Sequence, residues 1–199
     1  ISEPIASCVN AQEKGGIRKG ETVVVIGAGP IGCIHVALAR NKGAAKIIIA
    51  NRSPGRLRHA EAFNPDHLVD GSVVDMVEEV RKITGGAGAD VVISANPSAQ
   101  SVVQAVEMAK KGGRVLLFGG LPKDDCKPPV DMNLVHYNAL SIIGTTALAA
   151  RHHHEAVQLA LSGAIPVDKL VTHRLPLASF AEGVNLTISG EALKCAFIP

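Results

Sequence analysis

Val23-Val24-Val25-Ile26-Gly27-Ala28-Gly29-Pro30-Ile31-Gly32 is the stretch that decides how this chain is read. A β-branched run ends in G-x-G-x-x-G and passes into a helix-forming segment. Gly27 permits a tight turn out of the strand, Gly29 lets the backbone approach a pyrophosphate, and Gly32 lets the helix pack closely on the strand. The helix start then offers unpaired N–H groups and the positive end of its dipole to a diphosphate. On its own the glycine pattern could be a structural turn. Its place after an apolar strand and at the head of a strand–helix–strand unit makes it a dinucleotide-binding loop.

Outward from this loop the pattern repeats. Strands are predicted at 22–26, 46–50, 67–70, 90–94, 114–118 and 140–144, and helices at 30–41, 54–63, 73–83 and 99–110. Most of the strands are continuously apolar, as strands buried on both faces should be. Gly112-Gly113 falls where a helix C-cap would precede the fifth strand. Such alternation calls for right-handed crossovers. The expected fold is α/β: a doubly wound, parallel, six-stranded Rossmann sheet with helices on both faces, over residues 21–165. Residues 1–20 read as a short helix at 6–12 and a loop. Residues 166–199 read as an extended run near 171–175, a helix at 179–188 and a strand at 192–198. Both ends are too small to build a second core.

Composition narrows the function classes. The 199 residues are 47% hydrophobic and 19% charged, with a net charge of +2. That describes a core-rich globular chain and argues against an electrostatic nucleic-acid binder. Aromatics are only 3%, with no Trp, so base-stacking platforms are not expected. No apolar run is long enough for a membrane helix and no secretory leader is visible. Cys8, Cys33, Cys126 and Cys195 form no C-x-x-C pair and read as buried small hydrophobes, which suits a cytoplasmic protein. The chain opens at Ile1 without Met, as expected of a processed chain or a piece of a longer one.

The end of the second strand should carry an acid for the adenosine ribose. It carries Asn51-Arg52-Ser53 instead, with Arg56 close behind. A carboxylate would repel a 2′-phosphate, whereas Arg52 can pair with one in bidentate fashion. NADP(H) is therefore favoured over NAD(H). The alternative is a solvated basic helix start, with Asn51 bonding an NAD ribose.

Several motifs together are similar to one family. They are E-P-I-A-S-C-V-N-A (3–11), G-I-R-K-G-E-T-V-V-V-I-G-A-G-P-I-G (16–32), T-G-G-A-G-A-D-V-V-I (84–93), G-G-R-V-L-L-F-G-G-L-P-K (112–123), N-L-V-H-Y-N-A-L-S-I-I-G-T-T (133–146) and V-T-H-R-L-P-L (171–177). The chain resembles the zinc-dependent medium-chain alcohol dehydrogenases, in the sorbitol/polyol and threonine dehydrogenase-like branch. The resemblance implies hydride transfer from a secondary alcohol or polyol to NAD(P). It also implies a GroES-like catalytic domain that carries the zinc ligands and of which this chain has only returning pieces. Glu3 is similar to the position that can supply the last zinc carboxylate, but the other ligands are not in this sequence. Zinc is thus expected in the intact parent and not in this chain, whose catalytic residues stay unassigned.

The same resemblance assigns the loops after the fourth, fifth and sixth strands to the nicotinamide and its ribose. These carry Ala95 and Asn96, then Gly119, Gly120 and Leu121, then Gly144 and Thr145. Read without it, they are either turns or ligand loops, and their place beyond the strand ends favours contact for Gly119, Gly120 and Thr145. The sixth strand is an apolar edge with no Lys or Pro to guard it, which invites pairing with another chain. The family dimerises at this edge, so a homodimer through 140–144 is expected.

Remaining features are weaker. His152-His153-His154 cannot converge on one ion, because adjacent helical side chains point apart, and they read as a polar helix start. His35 reads as a packed interior side chain, while His136 and Tyr137 have no place that the sequence settles. Two rivals stay open: a non-catalytic NAD(P)-sensing module, and a methyltransferase, which would usually place an acid where Asn51 stands.

Overall fold

The sheet runs in the order β3-β2-β1-β4-β5-β6, every neighbouring pair parallel, in a computed structural model that describes residues 1–199. Its strands are β1 (Thr22–Ile26), β2 (Lys46–Asn51), β3 (His67–Asp70), β4 (Ala89–Ser94), β5 (Ala109–Leu117) and β6 (Ser141–Gly144). The order reverses between β1 and β4, which makes that gap the topological switch point of a doubly wound fold. Side chains alternate across each strand. Val23 and Val25 join Ile47, Ile49, Val91 and Ile93 in the core on one face. Val24 and Ile26 join Ile48, Ala50 and Val92 on the other. With both faces covered, strict alternation gives way to continuous apolar runs.

The first face is covered by α1 (Ser2–Gly15), α2 (Pro30–Asn41), α3 (Pro54–Glu61) and α7 (Ala150–Leu161), the second by α4 (Met76–Ile83) and α5 (Ala99–Met108). Two short helices, α6 (Met132–Tyr137) and α8 (Val167–Leu170), sit in the connections. The chain ends in α9 (Phe180–Ser189) and a separate parallel pair, β7 (His173–Pro176) and β8 (Cys195–Ile198). Along this last unit Leu177, Phe180, Ile188 and Ile198 are exposed.

Several expected boundaries move, each for a local reason. The helix expected from 73 starts at Met76, because the Asp75 carboxylate caps it, accepting from the N–H groups of Val77 (2.8 Å) and Glu78 (2.9 Å). Gly112-Gly113 is not a helix cap. The helix ends at Met108 and the chain enters β5 directly, through an irregular pairing with β4. A Cβ on Gly113 would lie 2.7 Å from Lys110 O, so close backbone approach accounts for that glycine.

The largest departure is at the N-terminus. The expected short helix at 6–12 is one 14-residue helix whose Ile5, Ala6, Cys8, Val9 and Ala11 are fully buried in the main core. Arg114 caps its C-terminal end, donating to Gly15 O (2.8 Å) and Gly16 O (2.6 Å) while pairing with Glu21. Among the cysteines, Cys8 and Cys33 are buried and burial raises both thiols, Cys33 to about 12. Cys126 is exposed and Cys195 half-buried, so the expectation of four buried cysteines fails for those two. His136 and Tyr137 are exposed on α6. No helix is long and apolar enough to cross a membrane.

His35 is fully buried on α2, as expected. The Gln12 amide from α1 donates to its carbonyl at 2.8 Å and lies 3.2 Å from its Nδ1, and Phe118 meets the ring edge-on at 4.9 Å. Burial pushes its pKa down to about 3. The neutral ring contributes its full stability above the unfolded value near 6.5, and that contribution is lost as the pH falls from there toward 3. Urea unfolding at pH 7 and pH 5 should differ by about 2 kcal/mol through this residue, and the difference should shrink in His35→Gln.

Candidate functional site

At the carboxyl end of β1 the chain turns sharply into α2, and this turn is the centre of the site. Gly27 takes φ +116, a conformation that side chains rarely adopt, and its N–H donates to Ala50 O at 2.8 Å. A Cβ on Gly32 would fall 1.8 Å from Gly27 O. The first turn of α2 therefore lies directly on the loop, held there by the absence of one methyl group. Pro30 occupies the start of α2, where the missing N–H costs nothing. Ile31 is half-buried and packs on the core. The result is a glycine cradle with the positive end of α2 facing the cleft.

The end of β2 braces this cradle. Asn51 Oδ1 accepts from Ala28 N–H at 3.4 Å, and its Nδ2 donates to Ser53 O at 3.2 Å. Arg56 lies along the loop, its Nη1 3.5 Å from the position that a Cβ on Gly29 would take. Arg52 lies on the other side, in the wall of a cleft of about 410 Å³ with Asn51, Gly71, Asp75, Asn96 and Ser98. A phosphate on the cradle would thus have Arg56 beside it, and a group in the cleft would have Arg52.

The loop after β4 sits between the glycines of two others. Ala95 N–H donates to Ile26 O at 2.9 Å, and Gly119 N–H donates to Ser94 O at 3.0 Å. A Cβ on Gly119 would come within 2.3 Å of Asn96 O, and one on Gly27 within 3.3 Å of the Asn96 Cβ. Ser94 Oγ and Asn96 Oδ1 are buried here without a hydrogen-bond partner. Gly120 and Gly144 have open space around them, and Leu121 is half-buried beyond β5. Thr145 ties back to Leu117 O through its N–H and its Oγ1, both at 3.2 Å. It lines a second hollow of about 150 Å³ with Ser7, Phe118, Thr146 and Ala147.

The expected residues therefore divide into two groups. Gly27, Gly29, Pro30, Gly32, Asn51, Arg52, Arg56, Asn96 and Gly119 gather around the switch point. Gly144 and Thr145 stand at the far end, beside the second hollow. Sequence reasoning missed Ser7 and Phe118 there, and Asp75 and Ser98 in the larger cleft. Thr146 and Ala147 follow Thr145 directly and could have been inferred from it. Ser7 could not, since only the packing of α1 brings it to the hollow.

A dinucleotide fits these residues: a cradle without side chains, a helix start, two guanidinium groups and partnerless buried oxygens. A metal ion does not. No group of three His, Cys, Asp or Glu side chains is placed to hold one. Glu3 is exposed on α1 and accepts from Ser7 Oγ at 3.0 Å. His152 is not a free polar helix start. It is buried, accepts from Ala149 N–H at 2.9 Å through Nδ1, and meets Glu13 at 2.9 Å through Nε2.

Residues 30–162 match the zinc-binding dehydrogenase family. The chain belongs to that family. Among zinc-binding dehydrogenases it is similar to the erythritol/L-threitol dehydrogenase of Mycolicibacterium smegmatis, at 32% identity over the whole chain and 54% of the relative. The sorbitol dehydrogenase of Halalkalibacterium halodurans is 28% identical, matched over 58% of its length. A Sinorhizobium meliloti protein, named for zinc-binding dehydrogenases and solved with NADP bound, superposes with a TM-score of 0.92. It is 30% identical, and the match covers all of this chain and 58% of that one. The chain thus spans little more than half the length of these zinc-binding dehydrogenases.

The cradle makes a direct prediction. Gly32→Ala must push α2 away from Gly27 O, which should lower stability by about 1–3 kcal/mol in urea unfolding. Nucleotide binding by the same variant should be lost in calorimetric titration.

Proposed function

We propose that this chain is the nucleotide-binding portion of an NAD(P)-linked dehydrogenase that oxidises a secondary alcohol or polyol, with NADP(H) preferred. The observation that carries the reading is the glycine cradle at the switch point, flanked on its two sides by Arg56 and Arg52. The family membership and the polyol and threonine dehydrogenases among its relatives support the reaction class. The nicotinamide, when bound, supplies the acceptor for the hydride.

The chain's own residues bind and orient. The cradle of Gly27, Gly29 and Gly32, with Pro30 and Ile31 opening α2, holds the diphosphate against the helix start, and Arg56 adds a charge beside it. Arg52 pairs with the 2′-phosphate. Asn51 is committed to the Ala28 N–H and keeps the loop in shape, which leaves the 2′ position without the usual acid. Asn96, with Ala95 behind it, offers an unpaired acceptor in the cleft wall. Gly119, Gly120, Leu121, Gly144 and Thr145 line the path of the nicotinamide ribose and ring.

Residues 21–165 carry the dinucleotide site in this reading, and α1, expected as part of the edge at 1–20, is packed into the same core. Residues 1–20 and 166–199 adjoin a catalytic domain encoded outside this stretch, which supplies the zinc ligands other than Glu3 and the substrate pocket. The exposed apolar side chains of Leu177, α9 and β8 support that assignment. The free cysteines are compatible with the cytoplasm. A homodimer forms by pairing of β6, the edge of the sheet, where Ile142 is 40% exposed.

Calorimetric titration with NADPH and NADH tests the reading. NADPH should bind more tightly, and Arg52→Ala should weaken NADPH by about tenfold or more while leaving NADH unchanged. Binding of neither nucleotide would overturn the proposal, and tighter NADH binding would remove the role of Arg52. Light scattering should return a dimer, whereas a monomer at high concentration would exclude pairing through β6. The 199-residue chain alone should bind nucleotide and oxidise no alcohol.

A further inference from the structure

The loop at 145–147 lines the 150 Å³ hollow beyond the end of β6, and its bonds to the sheet stop at Thr145. Thr146 and Ala147 are exposed, and Ala147 adopts φ +56, a left-handed conformation uncommon for alanine. A residue so placed persists only where its surroundings hold it. What holds it comes from the other end of the chain. Asn10, on α1 and only 7% exposed, donates its Nδ2 to Ala147 O at 2.9 Å and to Thr146 O at 3.3 Å. A primary amide carries two donor hydrogens, so one side chain can serve both carbonyls.

Two further facts give the clamp a direction. Ser7, three residues earlier on α1 and so on the same helix face, lines the 150 Å³ hollow together with Phe118, Thr145 and Ala147. The peptide group is also planar and trans, so turning the carbonyls of Thr146 and Ala147 toward Asn10 turns the N–H groups of Ala147 and Leu148 the opposite way. Neither of those N–H groups bonds within the chain. The loop is anchored beyond this point as well. Ala149 N–H donates to His152, which meets Glu13 on α1, and the ion pair with Arg151 lowers the pKa of the Glu13 carboxyl.

We propose that Asn10 is a positioning residue for the nicotinamide half of the cofactor. Its amide fixes two consecutive carbonyls and thereby sets the backbone surface that residues 145–147 present to the nicotinamide and its ribose. It touches neither the cofactor nor the substrate and acts only through the loop. The inference rests on the dehydrogenase reading above. It adds to that reading a determinant from α1 whose effect is confined to one half of the dinucleotide.

That confinement is the test. Asn10→Asp keeps the shape and removes both donors, and Asn10→Ala removes the clamp without adding charge. Each is titrated with NADPH or NADH, whichever the unsubstituted protein binds more tightly, and with the matching ADP-ribose that lacks nicotinamide. The dinucleotide should weaken by about tenfold, equivalent to about 1.4 kcal/mol, and the ADP-ribose by less than twofold. Amide hydrogen exchange over residues 145–149 should speed up in the nucleotide-free variants. Equal weakening of both ligands would mean a purely structural role and overturn the proposal, as would unchanged exchange or unchanged dinucleotide affinity. If the unsubstituted protein binds neither ligand, the dehydrogenase reading falls, and the positioning role falls with it.

Discussion

The approach of Gly32 to the Gly27 carbonyl is the constraint on which the rest of the structure depends. With no side chain between them, the first turn of α2 rests on the loop leaving β1, and the axis of α2 is set relative to the sheet. That placement aims the helix start at the cleft. It also lays the buried face of α2, with Cys33, Ile34, Val36 and Leu38, against β1 and β2. One missing methyl group thus serves packing and ligand geometry together. The same economy recurs at Gly119, whose bare Cα lets the β5 loop pass against Asn96 and bring two strand ends to one cleft.

The second organising element is α1. It precedes the sheet in sequence, yet it is attached along its whole length. Apolar residues of one face enter the main core, Gln12 reaches the His35 backbone, Arg114 covers its last carbonyls, and Glu13 engages Arg151 and His152 at the start of α7. Asn10 stands in the middle of these attachments. A helix held in so many ways is a fixed wall, and the far hollow of the cleft is built partly on it.

How much of this was legible in the sequence follows from the range of the forces involved. The strands were visible because burial on both faces leaves an unbroken apolar run, and the glycine loop because each glycine answers a local steric demand. The departures have longer causes. The helix expected at 6–12 proved longer because tertiary packing extends it, and Gly113 meets the backbone of Lys110 on its own strand and of Ala89 on the neighbouring one. Asn51 was read as a vacancy for an acid, and it turns out to be a brace for the Ala28 N–H. Asn10 and Ser7 carry no local signal of the hollow, since the residues they meet there lie more than a hundred positions away.

The strand order has a consequence for how the protein comes to exist. β1 is flanked by β2 and β4, and a bond such as that from Thr22 N–H to Asp90 spans 68 residues. Closing so long a loop costs chain entropy before the pairing contacts offset it, and parallel pairing across long loops is slow. The nucleotide cleft lies at that pairing. Binding competence therefore depends on a contact of long sequence separation, and β1 and β2 joined without β4 would hold an intact glycine motif and only half of the cleft.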